Sequence, residues 1–132
     1  MGMTKVSLTL GILPEIFAVC RLPASSTTPK WVAKSPFFSV SKTPKELSIV
    51  CVQENVPNDI KCERNWSCFE VQGPLDFRLT GILDSLTDPL AAAGISIFSI
   101  STFDTDYLLV KQENLKKAVV VLKEAGHVVQ TA

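Results

Sequence analysis

The fold is decided by residues 94–110, GISIFSISTFDTDYLLV. Ile95–Thr102 is rich in isoleucine and other residues that favour extended backbone, which predicts a strand. Phe103–Asp106 predicts a turn, because Asp side chains accept hydrogen bonds from nearby backbone amides. Tyr107–Lys111 then predicts a returning strand. Gly94 directly precedes these two predicted strands and is suited to ending a helix.

Helical periodicity flanks this predicted hairpin on both sides. Before it, a helix is expected to begin near Asp76, because apolar residues then recur every three or four positions. Pro89 lies inside this pattern and should kink the helix or make it restart. After the hairpin, a second helix is expected from Gln112 or Asn114, with the same apolar spacing and an end at Gly126.

Two further strands complete the pattern. Trp66–Val71 predicts a strand, which Gln72-Gly73-Pro74 ends. His127-Val128-Val129 predicts a last short strand. From residue 66 the order is therefore β-α-β-β-α-β, the ferredoxin-like arrangement.

The first half of the chain is predicted to be rich in strands and poor in helices. Val6–Leu10 and Ile16–Leu22 are expected to form a hairpin, turned by Gly11–Glu15. Phe37–Ser41 and Leu47–Val52 are expected to form a second, antiparallel hairpin.

The composition is that of a globular protein without a general affinity for polyanions. The chain has 132 residues, of which 46% are hydrophobic and 20% charged, and its 13 acidic and 13 basic residues balance. Neither nucleic acid nor an anionic membrane is therefore an expected partner. No apolar run is long enough to span a bilayer and no export signal is visible, so the expected compartment is the cytoplasm.

Several kinds of catalytic and cofactor site lack their residues. His127 is the only histidine, and there is no G-x-S-x-G motif for a serine nucleophile. There is no P-loop and no G-x-G-x-x-G, so no nucleotide cofactor is expected. The four cysteines form no C-x-x-C pair, so no metal site is expected and buried, reduced thiols are favoured. They are Cys20, Cys51, Cys62 and Cys68.

Two segments remain as candidate binding elements. Gln72–Asp76 joins a strand to a helix, and the free amides of a helix N-terminus attract anions such as a carboxylate. Ser101–Tyr107 places two acidic residues in a tight turn, where they could bind an ammonium or guanidinium group. From the residues alone, ordinary turn chemistry is the favoured interpretation of both segments, with Asp76 as a helix N-cap in the first and an Asx-turn in the second.

At these residues the chain resembles a known family. Its β-α-β-β-α-β half has Gly73-Pro74-Leu75-Asp76 after the first strand and Gly94-Ile95-Ser96-Ile97 opening the second, and it resembles an ACT domain. Ser101–Val110 is similar to a motif of the cytosolic arginine sensors of the mTOR pathway and of small double-ACT proteins in bacteria. Residues 8–10, 37–43 and 47–50 are similar to the first ACT unit of that family.

The resemblance implies a non-catalytic module that binds a small metabolite, usually an amino acid, between two ACT units. Asp106 would hold a cationic side chain, for which a partly buried carboxylate is suited, and backbone amides would hold the ligand carboxylate. Ser96 and Ile97 would come from one side of the site and the other residues from the opposite side. The candidate ligand-binding residues are Gln72, Gly73, Pro74, Leu75, Asp76, Ser96, Ile97, Thr102, Phe103, Asp104 and Asp106.

The expected fold class is α+β, with two ACT-like units of ferredoxin-like βαββαβ type, antiparallel sheets and helices on one face. Residues 1–62 would form the first unit and residues 63–132 the second. Because the chain offers two ACT units where the arginine sensors have four, a comparable site would need a homodimer. The expected partners are an amino acid or similar metabolite, a second copy of the chain and a regulated protein. The alternative is a structural or protein-interaction ACT module without a ligand.

Overall fold

The computed structural model describes residues 7–73 and 81–130. Over these residues the protein is of mixed α+β class, with eight strands and two α-helices. The elements are β1 (Thr9–Ile12), β2 (Phe17–Leu22), β3 (Ser39–Lys42), β4 (Leu47–Val52), β5 (Cys62–Val71), α1 (Ile82–Ala92), β6 (Ile97–Ser101), β7 (Asp106–Lys111), α2 (Leu115–Glu124) and β8 (Val128–Gln130).

The chain divides into two compact units. The small unit comprises Glu15–Trp66, and the large unit joins the segment that ends at Pro14 to the segment that begins at Ser67. The first half of β5 belongs to the small unit and its second half to the large unit. The proposed division at residues 62 and 63 stays a prediction.

In the small unit the strand order is β3-β4-β2-β5, with every neighbouring pair antiparallel. The β3–β4 hairpin lies where the sequence predicts it, with Ser39 paired to Val50 and Lys42 to Leu47. One face of this sheet carries an apolar core. Its buried members are Ala18, Cys20, Val32, Leu47, Ile49, Cys51 and Val56.

The residues of the small unit, all of which the structure describes, form no α-helix. Two short 3₁₀ segments, Lys30–Lys34 and Gln53–Asn55, stand at the helix positions of a βαββαβ unit. Pro29 and Pro36 bracket the first segment, and Pro57 follows the second. Since proline restricts helix extension and short helices are marginal, neither connection grows into an α-helix. The small unit is thus rich in strands and poor in helices, and it lacks the α-helices of a complete βαββαβ unit.

In the large unit the strand order is β8-β1-β5-β7-β6. Strand β1 runs antiparallel to β5 and parallel to β8. Both helices contribute to one core on a single face of these strands. Its largest fully buried side chains are Leu10, Phe69, Val71, Leu86, Leu90, Leu108, Val110 and Leu122.

The predicted hairpin between the first two strands is wrong. Strand β1 pairs with β5 and β8, whereas β2 pairs with β4 and β5. The ten-residue strand β5 is long enough to supply a partner to each of them in its own unit. Alternating hydrophobicity marks a segment as a strand and does not identify its partner.

The two helices of the large unit end as the sequence predicts. Gly94 and Gly126 follow them with φ of 76° and 99°, in the left-handed region that glycine adopts without steric cost. The amides of Ile95 and His127 then donate to Leu90 O and Leu122 O, which lie in the last turns. The predicted start of α1 near Asp76 lies outside the described residues. Within them, α1 neither ends nor restarts at Pro89.

None of the helices that the structure describes is long and apolar enough to cross a bilayer.

Candidate functional site

The loop between β6 and β7 is held by a compact set of hydrogen bonds. The Thr102 N–H donates to Thr105 O at 2.8 Å, and the Thr105 N–H donates back to Thr102 Oγ1 at 3.3 Å. These bonds leave Phe103 and Asp104 at the tip, where the Phe103 side chain is 80% exposed. The predicted turn is therefore present, and it presents an aromatic ring and a carboxylate outward.

Asp106 begins β7 directly opposite Ser101, the last residue of β6. The Ser101 hydroxyl donates to Asp106 Oδ1 at 2.6 Å, and the Asp106 side chain is partly buried. A carboxylate accepts through two oxygens, each able to take more than one hydrogen bond. The bond from Ser101 therefore orients Asp106 and leaves it capacity to accept from a cationic group.

Thr105 attaches this loop to the end of β5. Its buried hydroxyl donates to Val71 O at 2.6 Å, across 34 positions of the sequence. Gln72 and Gly73 follow directly and are exposed. The Gln72 N–H donates to Thr9 O at 2.8 Å, and its side-chain amide donates to Gln130 Oε1 at 2.9 Å. Two predicted binding segments, Gln72–Gly73 and Thr102–Asp106, thus lie at the same edge of the large unit.

Other predicted site residues are placed elsewhere. Pro74, Leu75 and Asp76 lie outside the described residues. Ser96 is exposed just before β6, and Ile97 begins that strand paired with Val110. Ile97 and Ser101 are four positions apart along β6, about 13 Å at strand rise. Within one chain, Ser96 and Ile97 therefore lie at the opposite end of the hairpin from Asp106.

Sequence reasoning missed a polar pair on the neighbouring strands. The Tyr107 hydroxyl donates to Glu70 Oε2 at 2.8 Å, from β7 to β5. Burial, and secondly this hydrogen bond to Glu70, raises the pKa of Tyr107 to about 12. Glu70 stands out in β5 as an acid next to buried Phe69 and Val71, which is the signal that could have revealed the pair.

His127, the only histidine, has a structural position. It is buried, and its Nδ1 accepts a 3.1 Å hydrogen bond from the Leu8 N–H. Its Nε2 lies 2.9 Å from Ser85 O. A carbonyl can only accept, so Nε2 carries the proton and donates. Both ring nitrogens are engaged with backbone groups, which leaves neither for general acid–base catalysis.

No group of three or more His, Cys, Asp or Glu side chains is arranged to hold a metal ion in residues 7–73 and 81–130.

The sequence pattern of the ACT domain family matches residues 61–124, from the start of β5 to the end of α2. The chain belongs to the ACT domain family. A second pattern, described as an N-terminal domain, matches residues 15–59. The ACT match thus contains both the β6–β7 loop and the end of β5 to which Thr105 is bonded.

Named relatives of this ACT protein include arginine sensors. The human protein named cytosolic arginine sensor for mTORC1 subunit 1 is 33% identical over 114 residues, which cover 75% of this chain and 35% of the relative. The bovine protein of that name is 34% identical over 95 residues, 66% of this chain and 29% of the relative. This ACT protein spans about a third of the length of the curated relatives that it matches.

Solved structures match a larger share of this chain than the named relatives do. A crystal structure of an Agrobacterium tumefaciens protein superimposes with a TM-score of 0.92 at 41% identity, covering 96% of this chain and 95% of the other. A Vibrio cholerae protein of unknown function superimposes with a TM-score of 0.73 at 17% identity, with 91% of each chain covered. Aspartate kinase of Clostridium acetobutylicum, described as an allosteric enzyme, superimposes with a TM-score of 0.66 at 12% identity. The match covers 95% of this chain and 36% of the kinase. The last two show likeness of fold alone.

Proposed function

We propose that this ACT protein is a non-catalytic regulatory or sensor protein of the cytoplasm that binds an amino acid or a similar small metabolite. The observation that carries the proposal is the partly buried Asp106 carboxylate, held by Ser101 in a loop that Thr105 bonds to the end of β5. Membership of the ACT family and the arginine-sensor relatives support it.

In this proposal the ligand is recognised at both of its charged ends. The Asp106 carboxylate accepts from a cationic side chain or ammonium group, in the manner of a charge-assisted hydrogen bond. The ligand carboxylate is held by backbone amides of the segment 72–76 other than Gln72, which donates to Thr9 O, and Pro74, which has no N–H. Thr102, Phe103 and Asp104 lie in the same loop as Asp106 and line the ligand from that side.

The proposed site is completed by a second copy of the chain. Among the described strands β6 pairs with β7 alone, and its sequence IFSIS carries no charge to protect the other edge. If two β6 edges pair antiparallel about Ser99, Ile97 of one subunit stands opposite Ser101 of its partner and Ser96 opposite Thr102. Such a homodimer brings together the residues that lie at opposite ends of the hairpin within one chain.

The test is a thermal-shift screen with each of the twenty amino acids at millimolar concentration. A ligand at 100 times its Kd adds about 2.7 kcal/mol to the free energy of unfolding, which raises Tm by several degrees in a domain of this size. We expect a rise with one or a few amino acids, those with a cationic side chain first. No rise with any of them would contradict amino-acid binding.

A second candidate function is a protein-interaction module without a ligand, which regulates a partner protein by docking. The observation that favours it is the 80% exposure of the Phe103 side chain at the tip of the loop. Large aromatic side chains at that exposure are typical of residues buried by a partner. Phe103→Ala would then abolish partner binding, whereas Asp106→Ala would leave it unchanged.

A further inference from the structure

Three of the four cysteines converge on one face of the small unit. Cys20 in β2 stands directly opposite Cys62 in β5. Cys51 in β4 stands opposite Ala18, which shares the face of Cys20 two positions away. All three side chains belong to the apolar core of this face. Cys20 and Cys51 are buried, and Cys62 is partly exposed.

The register of β2 and β5 gives the Cys20–Cys62 pair the geometry of a disulfide. The Arg21 N–H donates to Lys61 O at 3.0 Å, which makes Arg21 and Lys61 a hydrogen-bonded pair. In an antiparallel ladder such pairs alternate with non-hydrogen-bonded ones, whose Cα atoms are about 4.5 Å apart and whose side chains approach more closely. Cys20 and Cys62 are therefore a non-hydrogen-bonded pair. That separation falls inside the range of about 4.4–6.8 Å found in disulfides.

Cys51 is a poorer partner for Cys20. The two residues are diagonal neighbours on β4 and β2, because Cys20 itself pairs with Ile49. Diagonal Cα atoms lie about 7–8 Å apart, beyond the usual disulfide range. Cys51 is also fully buried, whereas Cys62 is reached by solvent.

We propose that Cys20 and Cys62 form a reversible disulfide when the protein meets a peroxide. The Cys62 thiolate attacks one oxygen of hydrogen peroxide, the O–O bond breaks, and a sulfenic acid forms with release of hydroxide. The Cys20 sulfur then attacks Cys62 Sγ and displaces the sulfenic oxygen, which leaves as water with the proton of the Cys20 thiol. Two thiols lose two electrons, one peroxide gains them, and a thiol reductant reverses the reaction.

The surroundings of Cys62 determine how this reaction depends on pH. Burial raises the pKa of the Cys62 thiol, and Cys20 and the Glu63 carboxylate add to the rise, while the nearby Arg64 guanidinium favours the thiolate. The thiolate is the reactive form, so oxidation should accelerate as pH rises above neutral.

The test is peptide mapping of the full chain after exposure to hydrogen peroxide and then alkylation of free thiols. Before alkylation, the oxidised chain should weigh about 2 Da less than the reduced chain. After trypsin, residues 6–21 should be linked to residues 62–64. Dithiothreitol should restore the two separate peptides. A link between Cys20 and Cys51, a sulfonic acid at Cys62, or no link at all would overturn the proposal.

Two variants sharpen the result. Cys62→Ser, at a partly exposed position, should lose the 2 Da product and the link while keeping the circular dichroism spectrum of the wild type. Cys51→Ala is the matched control, since it removes the other neighbour of Cys20 and should form the link to the same extent. Loss of the link in Cys51→Ala with the fold intact would assign the reaction to Cys51 and overturn the proposal.

Discussion

The Nε2–H of His127 donates a 2.9 Å hydrogen bond to Ser85 O, the carbonyl that the N–H of residue 89 would bond in an uninterrupted α-helix. Residue 89 is proline and has no N–H. The imidazole thus satisfies the carbonyl that proline leaves without its helical donor, and α1 continues to Ala92. This hydrogen bond couples the only histidine of the sequence to Pro89, the one proline inside an α-helix among residues 7–73 and 81–130.

His127→Ala should lower the free energy of unfolding by about 2–4 kcal/mol, because it leaves Leu8 N–H and Ser85 O without their partner in a buried place. The loss should be smaller in a Pro89→Ala background, where the new N–H can bond Ser85 O. Urea denaturation of the four proteins in this double-mutant cycle measures the coupling.

The control for this cycle is Ser7→Ala. It removes a hydrogen bond from Ser7 Oγ to Gly126 O, one position from His127 but exposed. We expect Ser7→Ala to change the free energy of unfolding by no more than about 0.5 kcal/mol. Equal losses for His127→Ala in both backgrounds would contradict the link to Pro89.

Asp106→Ala should abolish the thermal shift produced by the ligand that the amino-acid screen identifies. Loss of a charge-assisted hydrogen bond corresponds to a Kd raised by about 10- to 100-fold. Isothermal titration calorimetry of wild type and variant measures it. Asp88→Asn, an exposed acid of α1, is the matched control and should bind as the wild type does. If Asp106→Ala binds the ligand as tightly as the wild type does, the cationic end of the ligand is held by another group.

Thr105→Val should destabilise the β6–β7 loop, because a methyl group replaces the hydroxyl that donates to Val71 O. The expected loss is about 1–3 kcal/mol in the free energy of unfolding, together with weaker ligand binding. Thr105→Ser keeps the hydroxyl and should retain most of the stability and most of the ligand binding. If valine and serine behave alike, the hydrogen bond to Val71 does not hold the loop.

Tyr107 provides a direct pH measurement, since it is the only tyrosine. Tyrosinate absorbance should titrate with a pKa of about 12 in the folded protein and about 10 in urea. Because the folded-state pKa is the higher one, the contribution of Tyr107 to stability is complete below pH 10 and is lost as pH rises toward 12. Glu70→Gln should lower the folded-state pKa. A folded-state midpoint equal to that in urea would contradict the observed environment.

Ser99→Lys should weaken the proposed homodimer. In antiparallel pairing about Ser99, the two lysines would stand opposite each other, and like charges there are destabilising. Sedimentation velocity should show wild-type dimer and variant monomer at the same micromolar concentration. Ser25→Lys, in the loop after β2, adds the same charge away from β6 and should remain dimeric. If the wild type is a monomer at every concentration measured, the proposal that a second subunit completes the site is contradicted.

The sequence predicts best where contacts are local. The β6–β7 hairpin and the glycine ends of both helices depend on residues within a few positions of each other, so their patterns are sufficient. The partners of β1 lie far away, with Leu10 pairing with Val71 and with Val129, and alternation carries no information about them.

The candidate site shows the same limit. Asp106 and the turn before it are evident in the sequence, whereas the exposure of Phe103 is known only from the structure. The bond from Thr105 to Val71 is not, because a threonine in a turn has many potential partners. Nor could pattern alone show that Ser96 and Ile97 lie at the far end of the hairpin, since that depends on the register of β6 and β7.

The insertion of the small unit between Pro14 and Ser67 has a consequence for biosynthesis. All strands of the small unit are synthesised before the segment of the large unit that begins at Ser67. Strand β1 needs β8 as its parallel neighbour, with Thr9 paired to Val128. Contacts of such long sequence separation form late and slowly. Strand β1 must therefore wait for β8, and during this interval the edge that β8 covers is open to a chaperone or to another nascent chain.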